Sequence, residues 1–147
     1  MTSPLTPQAL AERVVARMLE GDALSAWLGL EVLEIAPARC TCRMTVRPEM
    51  VNGFGVSHGG IVFSFADSAF AFACNTHGRV TVAVDNSITY PAAIHPGDVL
   101  TAIAEEEAAS NRLGYYRVVV RNQAGALVAS FRGTAYRTSK PHFPEEA

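Results

Sequence analysis

Two features between residues 51 and 75 could support chemistry. One is Asp67, the single carboxylate in a run of apolar and small residues, GIVFSFADSAFAFAC. An ionised carboxylate buried among apolar groups is costly unless a partner or a reaction uses it. The other is His58-Gly59-Gly60, which precedes this run. Backbone N–H groups at a helix N-terminus attract an anion, or an oxygen that is becoming one, so this segment predicts an anion-stabilising site.

The spacing of these groups predicts how they could act together. On a helical wheel the neighbours of Asp67 within about 100° of arc are small or polar: Gly60, Ser64, Ser68, Ala71 and Asn75. Such a stripe indicates close contact with a ligand or a second chain, and a solvated stripe is the alternative. Eight residues separate Gly59 from Asp67, which is about 12 Å along a helix. If both serve one reaction, the sequence predicts a homodimer with two composite sites.

The elements that would position these residues follow from the hydrophobic pattern. Helical spacing after Thr6-Pro7 predicts a peripheral N-terminal helix within residues 1–22. Alternation predicts two strands before the long helix and four after it, and we expect the polar tail from 138 to 147 to be disordered. The predicted strands are 29–35, 40–47, 79–90, 98–109, 115–122 and 126–137. The prediction is one α+β domain over residues 1–147, with an antiparallel sheet curled around the central helix.

Composition sets limits on the class of protein. The chain has 147 residues, 49% hydrophobic and 18% charged, which is typical of one globular domain. A net charge of -2 gives no basic face for nucleic acid or an anionic membrane, so neither partner is expected. We expect no signal peptide, no metal site and no disulfide framework, and we predict a cytoplasmic protein with three free, buried cysteines.

The segment from Asn52 to Asn75 resembles the hotdog-fold thioesterases of the PaaI type, which are associated with phenylacetate degradation. The shared pattern is NGxxxxHGGxxFxxxDxAFAxACN, and FRGTAYR near the C-terminus resembles the last strand of that family. The resemblance extends from about residue 18 to residue 137. It implies a curled sheet around a central helix, and hydrolysis of an acyl-CoA thioester to the free acid and coenzyme A without a cofactor.

The resemblance also implies roles for individual residues. Gly59 would polarise the thioester carbonyl through its backbone N–H, and Asp67 of the other subunit would be the general base or the nucleophile. Asn52 would orient substrate or water, and His58 would shape the loop and donate a hydrogen bond. From the dipeptide Asn52-Gly53 alone, a turn is the better interpretation of Asn52.

Further residues are implied to contact the substrate. These are Gly60, Phe63 and Ser68 near the reaction, and Arg112 and Arg132 at the phosphates of coenzyme A. Ordinary exposed strand arginines are the alternative for the last two. The implied acyl group is phenylacetyl or hydroxyphenylacetyl, with a medium acyl chain second, and the implied assembly is a homotetramer built as a dimer of dimers.

Physical chemistry is consistent with such a small catalytic set. A thiol has a pKa of about 8.5, so a thiolate leaves readily, and one carboxylate with an oxyanion site suffices. Two other functions remain open. A hotdog-fold hydratase or dehydratase would need a second acid/base group, for which the helix offers no clear candidate. A non-catalytic acyl-CoA-binding module would have no need of Asp67.

Overall fold

The computed structural model describes residues 3–144 as four helical segments and one six-stranded sheet. The helices are α1 (Pro7–Glu20), α2 (Ala23–Leu28) and α3 (Gly59–Asn75), and a short 3-10 turn spans Pro48–Met50. The strands are β1 (Glu31–Ala36), β2 (Arg39–Thr45), β3 (Arg79–Thr89), β4 (Val99–Ala109), β5 (Leu113–Arg121) and β6 (Leu127–Pro141). The α+β prediction and the six strands are confirmed.

The strands form one antiparallel sheet in the order β1-β2-β4-β5-β6-β3. Strands β4, β5 and β6 are neighbours in chain order, with Gly125 in the left-handed region between β5 and β6. Strands β3 and β4 follow one another in the chain but are not neighbours in the sheet. Strand β3 pairs with β6 at the far edge of the sheet, so the chain crosses the sheet between β3 and β4.

Helix α3 is the centre of the hydrophobic core. It packs against β2, β3, β4, β5 and β6, so the sheet curls around it. Ala66, Ala69 and Ala73 are fully buried, and their small side chains let the sheet approach the helix closely. Phe65, Phe70 and Phe72 fill the remaining space, with at most 1% of each residue exposed. An apolar helix of this kind is stable only when it is enclosed, as the pattern predicted.

The N-terminal helix was predicted to be peripheral, and it buries one face. Helix α1 begins with Thr6 as N-cap, and Ala11, Val14 and Val15 are fully buried. The sequence prediction missed α2, a six-residue helix capped by the Asp22 side chain and ended by Gly29 in the left-handed region. Its shortness explains the omission, because one and a half turns show no helical periodicity.

The predicted disorder of the tail is wrong for its first part. Strand β6 continues to Pro141, with Arg79 and Pro141 as register partners. His142 Nε2 lies 2.8 Å from Asn75 Oδ1 at the end of α3. Phe143 is buried beneath the guanidinium of Arg13, 3.9 Å from the ring centroid. Packing against α1 and α3 therefore orders this segment, and residues 145–147 lie outside the described part of the chain.

Candidate active site

Helix α3 begins at a capped tip made by His58-Gly59-Gly60. His58 is the N-cap in extended backbone, and its Nδ1 accepts a hydrogen bond from Gly60 N at 2.9 Å. An accepting Nδ1 places the ring proton on Nε2, which leaves His58 with one free donor. The sequence predicted free backbone N–H groups at this tip, and His58 satisfies that of Gly60. No acceptor within residues 3–144 takes the N–H of Gly59.

Tyr90, which sequence reasoning missed, fixes the position of Gly59. Its hydroxyl donates to Gly59 O at 2.8 Å, although 47% of the residue is exposed. A Cβ built on Gly59 would lie 3.2 Å from Tyr90 Oη and 3.3 Å from Cζ, which is tighter than an ordinary contact. Glycine is therefore required for the tyrosine ring to approach the helix tip this closely. The local indication in the sequence was weak, a tyrosine between a strand and Pro91.

An apolar cavity of about 260 Å³ lies beside this tip. Its lining combines the glycine loop, the start of α3 and the segment after β3: Val56, Ser57, Gly59, Val62, Tyr90, Ala92, Ala93 and Ile94. The loop is held in place by hydrogen bonds from Ser57 N to Ile94 O at 2.7 Å and from His58 N to Met50 O at 2.8 Å. The open Gly59 N–H thus belongs to a residue that lines an apolar space, where a hydrogen bond is stronger than in water.

Asp67 lies half-buried two turns further along α3, and the only hydrogen-bond partner of its side chain within residues 3–144 is Asn86 of β3. Asn86 Nδ2 donates to Asp67 Oδ1 at 3.0 Å. Burial raises the pKa of the Asp67 carboxyl, and the hydrogen bond from Asn86 opposes that rise. A partly desolvated carboxylate with one free oxygen can accept a proton from water or attack an electrophile.

Asn86 faces Asp67 because β3 contains a bulge. The register between β3 and β6 runs from Ala83↔Ala135 to Asp85↔Thr134, so Val84 is an extra residue on β3. One extra residue reverses which side chains face α3. Val82, before the bulge, and Val84, the bulge residue, point away from α3 and are 48% and 57% exposed. After the bulge, Asn86 points towards the helix. The alternating pattern of residues 79–90 in the sequence does not show that β3 contains a bulge.

Asn52 occupies the turn that its dipeptide suggests. Its Oδ1 accepts from Phe54 N at 2.9 Å, and its backbone N donates to Val56 O at 2.8 Å. No residue of the described chain accepts from the side-chain amide nitrogen, which stays available as a donor. Asn52 therefore shapes the glycine loop through one atom and can still contact substrate or water through another.

The predicted substrate contacts on α3 divide into two kinds. Ser68 Oγ lies 3.0 Å from Ser25 Oγ, which itself donates to Asp22 Oδ2 at 2.6 Å, so the Ser68 hydroxyl helps attach α2. Phe63 is partly buried and makes an edge-to-face contact with Phe131, with ring centroids 5.5 Å apart. Both residues thus have structural partners in the folded chain. Of the site residues predicted from the sequence, Gly59 is the one that lines the cavity.

The two arginines lie away from these groups within one subunit. Arg132 alternates with Phe131 and Gly133, which face α3, so its side chain lies on the outer face of the sheet and pairs with Glu107 at 2.6 Å. Arg112 is exposed in the connection between β4 and β5. The structure does not bring either residue to Asp67 or Gly59.

Two further observations concern other kinds of site. Residues 3–144 contain no cluster of three or more His, Cys, Asp or Glu side chains arranged to hold a metal ion. Within the same range, no helix is long and apolar enough to cross a membrane. The three cysteines are buried thiols, as predicted, and Cys40 Sγ and Cys42 Sγ are 3.7 Å apart.

Comparison with known proteins identifies the family. The sequence profile of the Thioesterase superfamily matches residues 54–129. The acyl-coenzyme A thioesterase PaaI of Escherichia coli is 38% identical over 120 residues, covering 82% of this chain and 86% of that protein. Human acyl-coenzyme A thioesterase 13 is 30% identical over 133 residues, covering 88% and 94%.

Solved structures agree with this assignment. The structure of E. coli PaaI superposes with a TM-score of 0.90 at 34% identity, covering 92% of this chain and 99% of that one. The TT0310 protein of Thermus thermophilus superposes with a TM-score of 0.77 at 39% identity, covering 80% and 98%. The match to PaaI confirms the hotdog fold. The chain belongs to the Thioesterase superfamily and is a thioester hydrolase.

Proposed function

We propose that this protein hydrolyses an acyl-CoA thioester to the free acid and coenzyme A, with a phenylacetyl or hydroxyphenylacetyl group as the preferred acyl part. The relatives that carry acyl-CoA thioesterase names support the coenzyme A thioester. The similarity to PaaI from a phenylacetic acid degradation operon supports the aryl acyl group. The cytoplasmic location stays a prediction.

The observation that carries the proposal is the pairing of one open backbone donor with one half-buried carboxylate. Gly59 N–H has no acceptor within the described residues, and Asp67 keeps one carboxylate oxygen without a protein partner there. A donor of this kind stabilises the oxyanion of a tetrahedral intermediate, and the carboxylate supplies basicity or nucleophilicity. Thioester hydrolysis needs no more than this, because the thiolate is a good leaving group.

The reaction would proceed by addition and elimination. Asp67 removes a proton from water as the oxygen attacks the carbonyl carbon, and Gly59 N–H holds the resulting oxyanion. Collapse of the intermediate breaks the C–S bond and releases the thiolate, which takes up the proton. If Asp67 attacks directly, a mixed anhydride forms first and water then cleaves it. His58 Nε2–H and the Asn52 amide are the additional donors that could orient the substrate.

Two subunits would have to build each site. Gly59 and Asp67 are eight residues apart in one helix, which is about 12 Å, whereas reacting groups must lie about 3 Å from the same carbonyl. Strand β3 is an 11-residue edge strand with exposed Val82 and Val84, and an open edge of this kind favours pairing with another chain. We propose a dimer in which each Gly59 meets the partner subunit's Asp67, and a tetramer formed from two such dimers.

Thiol release from a panel of aryl and aliphatic acyl-CoA substrates tests the proposal. We expect phenylacetyl-CoA or a hydroxylated form to have the highest kcat/KM, and Asp67→Asn to lose activity towards every substrate. The variant is a matched one, because an amide replaces the carboxylate at the same volume. Undiminished turnover by Asp67→Asn would remove Asp67 from the mechanism, and tight binding without thiol release would indicate a binding module. Water addition to an enoyl-CoA would indicate a hydratase.

A further inference from the structure

We propose that Asn86 is a positioning residue for Asp67, seated against Gly133 by the β3 bulge so that its amide holds one carboxylate oxygen and leaves the other for the reaction. The inference rests on the proposed function, because it assigns Asp67 as the group that acts on the substrate.

The hydrogen bond between the two side chains orients the carboxylate. Asn86 Nδ2 donates to Asp67 Oδ1 at 3.0 Å, which is a good distance for this pair of atoms. Asp67 Oδ2 has no partner within the described residues, and it is not among the side-chain atoms that are closed off from solvent without a partner. One oxygen is therefore fixed to β3, and the other remains accessible to water or substrate.

The oxygen of the Asn86 side-chain amide shows that the hydrogen bond to Asp67 has a cost. Asn86 Oδ1 is the one fully buried side-chain oxygen or nitrogen within residues 3–144 that lacks a hydrogen-bond partner. Leaving a buried acceptor unpaired is unfavourable, and native structures rarely do so without a reason. An apolar residue here would avoid this cost but would offer nothing to Asp67. The donor to Asp67 is therefore the feature that accounts for an asparagine at this position.

The surroundings of Asn86 are shaped to accept it. Asn86 and Gly133 are register partners on β3 and β6. A Cβ on Gly133 would come within 2.8 Å of the Phe70 ring and 3.0 Å of Asn86 Oδ1, so no larger residue fits without displacing one of them. Gly133 is the glycine of the FRGTAYR segment. The bulge at Val84 and the glycine at 133 together give the amide its orientation and its space.

No charged group replaces Asn86 as a partner of Asp67. Without the bulge, Asp85 would take its place and set two carboxylates against each other. The titratable groups of α3 and of the elements around it include Cys74 of α3, Cys40 and Cys42 of β2, Glu106 of β4, Tyr116 of β5, Arg137 of β6, Tyr90 after β3, Asp22 before α2, and Arg13 and Arg17 of α1. Of the described side chains, only Asn86 hydrogen-bonds to Asp67.

Kinetics of Asn86→Ala as a function of pH test the inference. Losing the donor should lower kcat about tenfold while KM stays near its wild-type value, because a hydrogen bond to a charged group is lost from the reacting carboxylate. The acid limb of kcat/KM should move to higher pH, since the donor opposes the rise in the pKa of Asp67 caused by burial. Ser87→Ala is the matched control on β3, because Ser87 is exposed. Wild-type kcat and an unmoved acid limb in Asn86→Ala would overturn the inference.

A second variant keeps the shape of the side chain. Asn86→Asp is nearly isosteric but replaces the donor with a second carboxyl group beside Asp67, so its acid limb should move further upward than that of Asn86→Ala. A merely structural role for Asn86 would change the melting temperature in both variants and leave the acid limb of Asn86→Ala in place, which would contradict the inference.

Combining the substitutions separates this inference from the proposed function. In an Asp67→Asn background, Asn86→Ala should have no further effect on kcat, because there is no carboxylate left to orient. Full activity of Asp67→Asn alone would refute the proposed function itself. Inactivity of Asp67→Asn together with wild-type behaviour of Asn86→Ala would refute only the positioning role.

Discussion

Replacing Gly59 with proline would remove the backbone donor without removing the helix. Proline lacks an N–H and is favoured at the first position of a helix, where that N–H has no helical partner. Gly59 is the first residue of α3, and His58 before it has φ -61° and ψ 134°, the extended conformation that a residue preceding proline prefers. Helix α1 already begins in this way, with Pro7 following Thr6 at φ -65° and ψ 156°.

The cost of the new side chain can be separated from the loss of the donor. Any Cβ at residue 59 would lie 3.2 Å from Tyr90 Oη, so the tyrosine must move by a few tenths of an ångström. Gly59→Ala carries this contact and keeps the N–H, whereas Gly59→Pro carries the contact and lacks the N–H. Removing one oxyanion donor lowers kcat by about 10²–10³, or about 2.7–4 kcal/mol. We therefore expect kcat of Gly59→Pro to lie about 100-fold or more below that of Gly59→Ala.

The assay is steady-state thiol release with the best acyl-CoA substrate, alongside thermal unfolding of both variants. The two variants should unfold at similar temperatures, because the first position of α3 accepts proline. Equal kcat values for Gly59→Ala and Gly59→Pro, with both proteins folded, would refute the assignment of Gly59 N–H as the oxyanion donor.

Three further outcomes are expected. Burial raises the pKa of Asp67 in the folded chain, so the folded protein is more stable at low pH and loses stability as pH rises through that pKa. Thermal unfolding should therefore show a higher melting temperature for Asp67→Asn than for wild type at pH 7, and the difference should disappear in acid. Arg132→Ala should leave kcat and KM unchanged, because Arg132 pairs with Glu107 on the outer face of the sheet. Arg112→Ala should raise KM for acyl-CoA, because we expect this exposed arginine to contact a phosphate of coenzyme A. Phe143→Ala should lower the free energy of unfolding by about 3 kcal/mol in denaturant titrations, and an unchanged value would contradict the packing of the tail.

Periodicity predicted the elements of the fold well because burial sets the pattern. The long apolar stretch predicted to be helical forms α3, Gly59–Asn75, and is enclosed by the sheet. Local patterns could not predict that β3 crosses to pair with β6, since strand pairing depends on contacts distant in sequence. They also missed the ordered tail, because His142 and Phe143 are held by residues of α3 and α1.

The candidate site was predicted only in part, for a related reason. Asp67 and the glycine tip stand out by residue type against an apolar background. Asn86 and Tyr90 do not, because each gains its role through a contact across the fold. A single bulge residue, Val84, decides that Asn86 faces α3, and strand alternation in the sequence does not reveal a bulge.

Mixing two inactive variants is the most direct test of a site shared between subunits. Asp67→Asn keeps the tip of Gly59, and Gly59→Pro keeps Asp67, so a mixed dimer would contain one complete site and one with neither group. Refolding the two variants together in equal amounts should make half of the dimers mixed and restore about a quarter of wild-type activity. Activity no higher than the average of the two variants, in a mixture shown to contain mixed dimers, would contradict the shared site.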